Sequence, residues 1–70
     1  MPANYTAVIR HRDSWWIGWV EEIPGVNSQG RTREELLENL GSALREAIEL
    51  NREEAIAACG EPYEEVSLST

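Results

Sequence analysis

A chain of 70 residues carrying a formal charge of −7, with one cysteine and one histidine, is sized for a single small domain. It excludes both an internal disulfide and a four-ligand structural zinc site. All six basic residues are arginine and stand against 13 acids, so the chain as a whole repels phosphate backbones and is not expected to bind nucleic acid directly. No apolar run approaches the roughly 20 residues of a membrane span, and no basic-then-apolar leader opens the chain, which points to a soluble, cytoplasmic protein with no membrane partner.

Residues 4–12 alternate, with Tyr5, Ala7, Ile9 and His11 on one side and Thr6, Val8, Arg10 and Arg12 on the other, the period-2 pattern of a strand. Asp13 and Ser14 supply turn chemistry, and residues 15–20 return as the second arm of a hairpin. That second arm is apolar on both sides: Trp15, Ile17 and Trp19 point one way, Trp16, Gly18 and Val20 the other. A strand with one solvated face alternates apolar with polar, so this one is expected to be covered on both faces. Pro24 and Gly25 then form a turn, and residues 26–29 make a third short strand that stops at Gly30.

Thr32 followed three residues later by Glu35 is a capping box set directly before an apolar-periodic run, which predicts a helix over 33–58. Leu36, Leu37, Leu40, Ala43, Leu44, Ala47, Ile48 and Leu50 fall within one sector of roughly 160°, with the acids outside it. Beyond Leu50 the phase slips, bringing Glu54 toward the apolar sector. Asn51 and Glu54 could form a second capping pair, so a kink or a fresh helical turn near Asn51 is expected. Geometry also requires an overhang, because a helix of that length spans about 39 Å against about 23 Å for a seven-residue strand. Gly60 and Pro62 stop the helix, and residues 63–68 alternate as a short last strand or an extended tail. The expected architecture is one α+β domain over 1–70: a three-stranded antiparallel sheet, one long amphipathic helix on one face and a short C-terminal strand.

Candidates for chemistry are few. His11 beside Arg10, Arg12 and Asp13 has no evident nucleophile or orienting partner and reads as a surface histidine. Cys59 sits at a helix C-terminus among alanines and acids, which disfavours a thiolate, and reads as a buried or half-exposed apolar residue. The helix acids are spread along an axis instead of gathered in a turn, so they read as a solvated face and not as a calcium loop. No catalytic, metal-binding or cofactor-binding residue is assigned, and the chain is expected to bind protein.

The tryptophan strand carries the functional signal. One helix covers one face of a small sheet, so if Trp16 and Val20 meet the leucine stripe, Trp15, Ile17 and Trp19 are left on the other. A buried aromatic covers about 150–250 Å². At about 25 cal/mol per Å², leaving two such rings in water forgoes several kcal/mol, comparable to the roughly 3–5 kcal/mol available to a domain this small. Trp15, Ile17 and Trp19, flanked by Arg10, are therefore expected to contact a partner or a twin subunit in a homodimer or higher oligomer.

Glu22-Ile23-Pro24-Gly25-Val26, Ser28-Gln29-Gly30 and Thr32-Arg33-Glu34-Glu35-Leu36-Leu37-Glu38-Asn39-Leu40, following a strand hairpin, resemble the HicB-like antitoxin family over about residues 5–58. The resemblance implies a β-β-β-α-β, truncated ribonuclease H-like fold. It also implies a function, neutralising a HicA-type toxin, a small basic ribonuclease that cleaves messenger RNA. Many members add a C-terminal DNA-binding domain, which this sequence does not show. In this setting Pro24, Gly25, Gly30, Thr32 and Glu35 are expected to be structural, setting the turn and the helix start. A stand-alone homo-oligomeric adaptor or small-ligand module, with no toxin, is the alternative. A binder of single-stranded nucleic acid using the three Trp is a third reading, opposed by the net charge.

Overall fold

The computed structural model describes residues 4–69. Three antiparallel strands, β1 (Ala7–Arg12), β2 (Trp15–Val20) and β3 (Asn27–Gly30), form one sheet in the order β1-β2-β3, and a 27-residue helix, α1 (Arg33–Cys59), follows. The class is α+β, as expected, and the bounds of β2 match the expected ones.

Hairpin register pairs Arg12 with Trp15 and Ala7 with Val20 around the Asp13-Ser14 turn. Asp13 adopts a left-handed φ of 57°, a conformation that a short polar side chain tolerates better than most. β1 begins at Ala7 and not at residue 4, because its partner strand turns away after Val20. Thr6 continues the hairpin by one in-register bond, its carbonyl accepting from the Glu21 N–H at 2.9 Å, and its N–H donates to Glu22 Oε1 at 2.8 Å.

That second contact holds the Glu22 carboxyl below its ordinary value of 4.5, the Thr6 amide being the main cause. An acid whose folded pKa is lowered adds stability above its unfolded pKa and loses it as pH falls through the folded one. Acidification from pH 6 to pH 3 is thus expected to release the start of β1, read as faster exchange of the Thr6 amide proton. Glu22→Gln should abolish that pH dependence.

Between β2 and β3, the Ile23 carbonyl accepts from the Val26 N–H at 3.3 Å across Pro24-Gly25, and Gly25 has φ +90°. Proline followed by a positive-φ glycine is the chemistry of a type II turn. Val26 is consumed by this turn and by accepting from the Val20 N–H at 3.0 Å, so β3 starts one residue later than expected and runs through Gly30.

The capping box forms with a variation. Thr32 Oγ1 accepts from the Glu35 N–H at 3.0 Å, while the Glu35 carboxylate reaches past Thr32 to accept from the Arg31 N–H at 2.8 Å. Thr32→Ala is expected to cost about 1 kcal/mol in urea unfolding.

The core is small and lies under the start of the helix: Val20, Val26, Leu36 and Leu40 are buried, with Ile9, Trp16, Ile23, Ala43, Leu44 and Ala47 packed around them. Leu36 and Leu40 are the buried residues of α1. Past Ala47 the helix leaves the sheet, giving an elongated molecule of 50 × 22 × 16 Å.

Two expectations are corrected by this overhang. α1 is unbroken through Asn51, because a helix with no sheet beneath it can let its apolar phase drift without cost, and Glu54 is simply exposed. Residues 63–68 form no strand among the described residues, because the helix carries them away from the sheet edge. They are the extended tail, pinned to α1 where Arg52 Nη2 meets Glu65 Oε2 at 2.9 Å and Arg52 Nε meets Glu65 Oε1 at 3.3 Å. The paired carboxylate raises the Arg52 pKa, but both side chains are about half exposed, and such pairs add little to stability. No helix among the described residues is long and apolar enough to cross a membrane.

Candidate functional site: the open face of the sheet

Strand alternation divides the side chains of β2. Trp16, Gly18 and Val20 face α1, where Val20 is buried and Trp16 packs against the core. Gly18 is required by this packing: a Cβ there would lie 2.8 Å from Ile9 Cγ2 and 3.1 Å from Leu40 Cδ1, so its absence lets the helix settle onto the sheet. Trp15, Ile17 and Trp19 occupy the opposite, open face.

Cross-strand register builds the rest of that face. Val8 lies opposite Trp19, Arg10 opposite Ile17 and Arg12 opposite Trp15. From β3, Asn27 lies opposite Trp19 and Gln29 opposite Ile17. Arg31, just past β3, places its guanidinium carbon 4.1 Å from the centroid of the Trp15 ring, a cation–π contact.

The expected contact residues are therefore brought together, but they are not equally open. Trp15 and Ile17 are half-buried, the first beneath Arg31, whereas Trp19 is 46% exposed and its neighbour Val8 is 50% exposed. Sequence reasoning placed Arg10 beside this face and missed Arg31. A residue just beyond a strand carries no periodic signal, and only the register shows that it returns over Trp15.

Charge is segregated in the same way. The three arginines and three acids of residues 1–31 cancel, so the whole net charge of −7 belongs to residues 32–70, that is, to α1 and the tail. Among the described residues that the register sets on the open face, none is acidic. The result is an Arg/Trp face on one side of the sheet and an acidic helix on the other.

Other candidates fall into place around this. His11 is exposed and stacks on Trp16, with ring centroids 4.9 Å apart and planes inclined by 17°. Cys59 is exposed, not buried or half-exposed as expected, because the last turn of α1 has no sheet to cover it. It borders an open cleft of about 400 Å³ with Arg52, Ile56, Tyr63 and Glu65. Among the described residues no three His, Cys, Asp or Glu side chains gather as a metal site would require. Asn39, from α1, donates to the Gln29 carbonyl at 2.9 Å and so occupies part of the free edge of β3.

Pro24 and Gly25 lie in the turn, Thr32 and Glu35 in the cap, and Gly30 at the end of β3 close against the backbone of Glu35 and Leu36, none of them on the open face. No protein-family model, curated protein or solved structure was found to match this chain.

Proposed function

We propose that this chain is the antitoxin of a type II toxin–antitoxin pair, a HicB-like protein of truncated ribonuclease H-like fold that occludes a HicA-type, mRNA-cleaving ribonuclease in the cytoplasm. The observation that carries this reading is the charge segregation: the entire −7 lies on α1 and the tail, along an exposed helical surface. A basic enzyme that grips RNA phosphates is the natural counterpart of such a surface, which steers encounter and then covers the groove where RNA would lie.

The same charge argument refines which residues meet the toxin. Arg10, Arg12 and Arg31 would repel a basic partner, so the toxin is assigned to the acidic side of α1, and Trp15, Ile17 and Trp19 are left for another subunit. This role needs no catalytic group, metal or cofactor of the chain's own.

Co-expression with the basic protein encoded by a neighbouring reading frame tests the proposal. Growth arrest by that protein should be relieved by this chain, and relief should be lost in Glu38→Arg/Glu46→Arg with the fold intact by circular dichroism. Unrelieved arrest, or relief indifferent to those reversals, would count against it. A stand-alone homo-oligomeric module is favoured by one observation, the exposed Trp19 beside Val8, and the absence of any toxin-sized basic neighbour would decide for it.

A further inference from the structure

We propose that the open sheet face is an interface between copies of this chain, and that its occupant is the acidic, Leu50-centred end of α1 from a second copy. This association is head-to-tail and does not depend on a toxin, which, seated on the same acidic side of α1, would compete with it.

The open face offers three guanidiniums around apolar anchors: Arg10, Arg12 and Arg31 beside Trp15, Ile17 and Trp19. Its complement is found on the same molecule, out of that face's own reach. Where α1 overhangs the sheet, Leu50 is 56% exposed and lies in a shallow depression with Glu46, Glu49 and Glu53, alongside Arg45. An apolar side chain ringed by carboxylates matches, in both chemistry and sign, an apolar patch ringed by guanidiniums. The overhang stands clear of the sheet and leaves the depression open among the described residues, with Arg52, which also holds the tail, 3.9 Å from Glu49 at its edge.

Charge also decides against the symmetric alternative. Pairing two open faces would bring six guanidiniums into one interface with no acid from the face to neutralise them, and burying like charges without partners is strongly unfavourable. Seating the acidic helix end on the Arg face instead allows bidentate Arg–carboxylate pairs at the rim of an apolar centre, the arrangement in which ion pairs add specificity. Since the two surfaces differ, each copy keeps one of each unused, and the association extends into chains or closes into a ring.

Two full-length variants separate the surfaces: Arg10→Glu/Arg12→Glu spoils the sheet side, and Glu49→Gln/Glu53→Gln spoils the helix side. With folding checked by circular dichroism, sedimentation should show the unmodified chain growing with concentration beyond a dimer, or to a closed ring. Its association should weaken by about tenfold or more as salt rises from low to high ionic strength. Each variant alone should stay monomeric, while the two mixed should form a 1:1 dimer and nothing larger, because only one competent pair of surfaces remains.

Dimers of the helix-side variant alone would overturn the proposal in favour of paired sheet faces, and a monomeric unmodified chain at low salt would overturn it outright. If that monomer instead bound a labelled oligothymidylate, and lost it with Arg10→Glu/Arg12→Glu, the face would belong to single-stranded nucleic acid.

Discussion

Leu36→Ala is expected to leave the protein largely unfolded at room temperature. Among the described residues Leu36 is the one large side chain with no solvent exposure, and it sits where α1 first meets the sheet, against Val20, Val26 and Leu40. Truncating a buried leucine costs about 2–5 kcal/mol, with the upper end reached where the surroundings cannot collapse into the cavity. Here the surroundings are two strands and a helix fixed by a turn and a cap, so little collapse is available. A domain of this size has roughly 3–5 kcal/mol in total, and the loss is of the same order. Far-UV circular dichroism at 25 °C should show a population with weakened helix signal, and urea titration should lack a native baseline. Leu36→Met keeps the volume and should lose less than about 1.5 kcal/mol. A Leu36→Ala protein that unfolds cooperatively, less than 1 kcal/mol below its parent, would mean that the packing is held elsewhere, for instance in an oligomer.

Gly30→Ala is the second large effect, and its cause is unlike that of most glycines. The residue ends β3 opposite Trp16, and a Cβ there would lie 2.6 Å from the Leu36 nitrogen and 3.0 Å from both the Glu35 carbonyl carbon and the Leu36 Cα. These are backbone atoms of the first helical turn, where the Leu36 N–H donates to the Thr32 carbonyl at 3.0 Å. They cannot move aside without lifting the helix start from the sheet and disturbing the cap. A loss of about 2–3 kcal/mol is expected in denaturant unfolding, at the high end for overpacking.

Gly41, inside α1, offers the contrast: among the described residues, a Cβ there would meet the far end of the Arg45 side chain at 3.4 Å and nothing else beyond the helix's own backbone. Gly41→Ala should be neutral or stabilise by up to about 1 kcal/mol, as helix propensity dictates. Equal losses at both positions would refute the account of Gly30.

Local signals were legible in the sequence, and long-range ones were not. The bounds of β2, the Pro24-Gly25 turn and the Thr32–Glu35 cap follow from residue types acting on their immediate neighbours, and each forms. The division of the tryptophans between two faces follows from strand alternation, and it also holds. What failed was inference from the helix phase: the slip after Leu50 implied a fresh helical start near Asn51 only on the assumption that the whole helix stays packed, and α1 runs on as one helix. The C-terminal strand failed similarly, since alternation in residues 63–68 says nothing about whether an edge is within reach. Gly30 ends β3 and lies at the helix start, as expected of a structural residue, but the steric reason shows only once the helix is packed beside it. Arg31 and Asn39 gave no periodic clue at all, because their partners, Trp15 and the Gln29 carbonyl, are set by how the chain folds back.

The position of the core, beneath the first two turns of α1, divides the molecule by how it opens. Residues of the sheet and the helix start share one set of buried contacts, so their amide protons should exchange only through opening of the whole unit. From about Ala47 onward the helix is held by its own backbone ladder, the Gly60 N–H bonded to the Ile56 carbonyl at 2.9 Å, and an exposed ion pair to the tail. Isolated helices of such length are marginal in water. That end can therefore fray and re-form while the rest stays folded, a local freedom that a docked partner would remove.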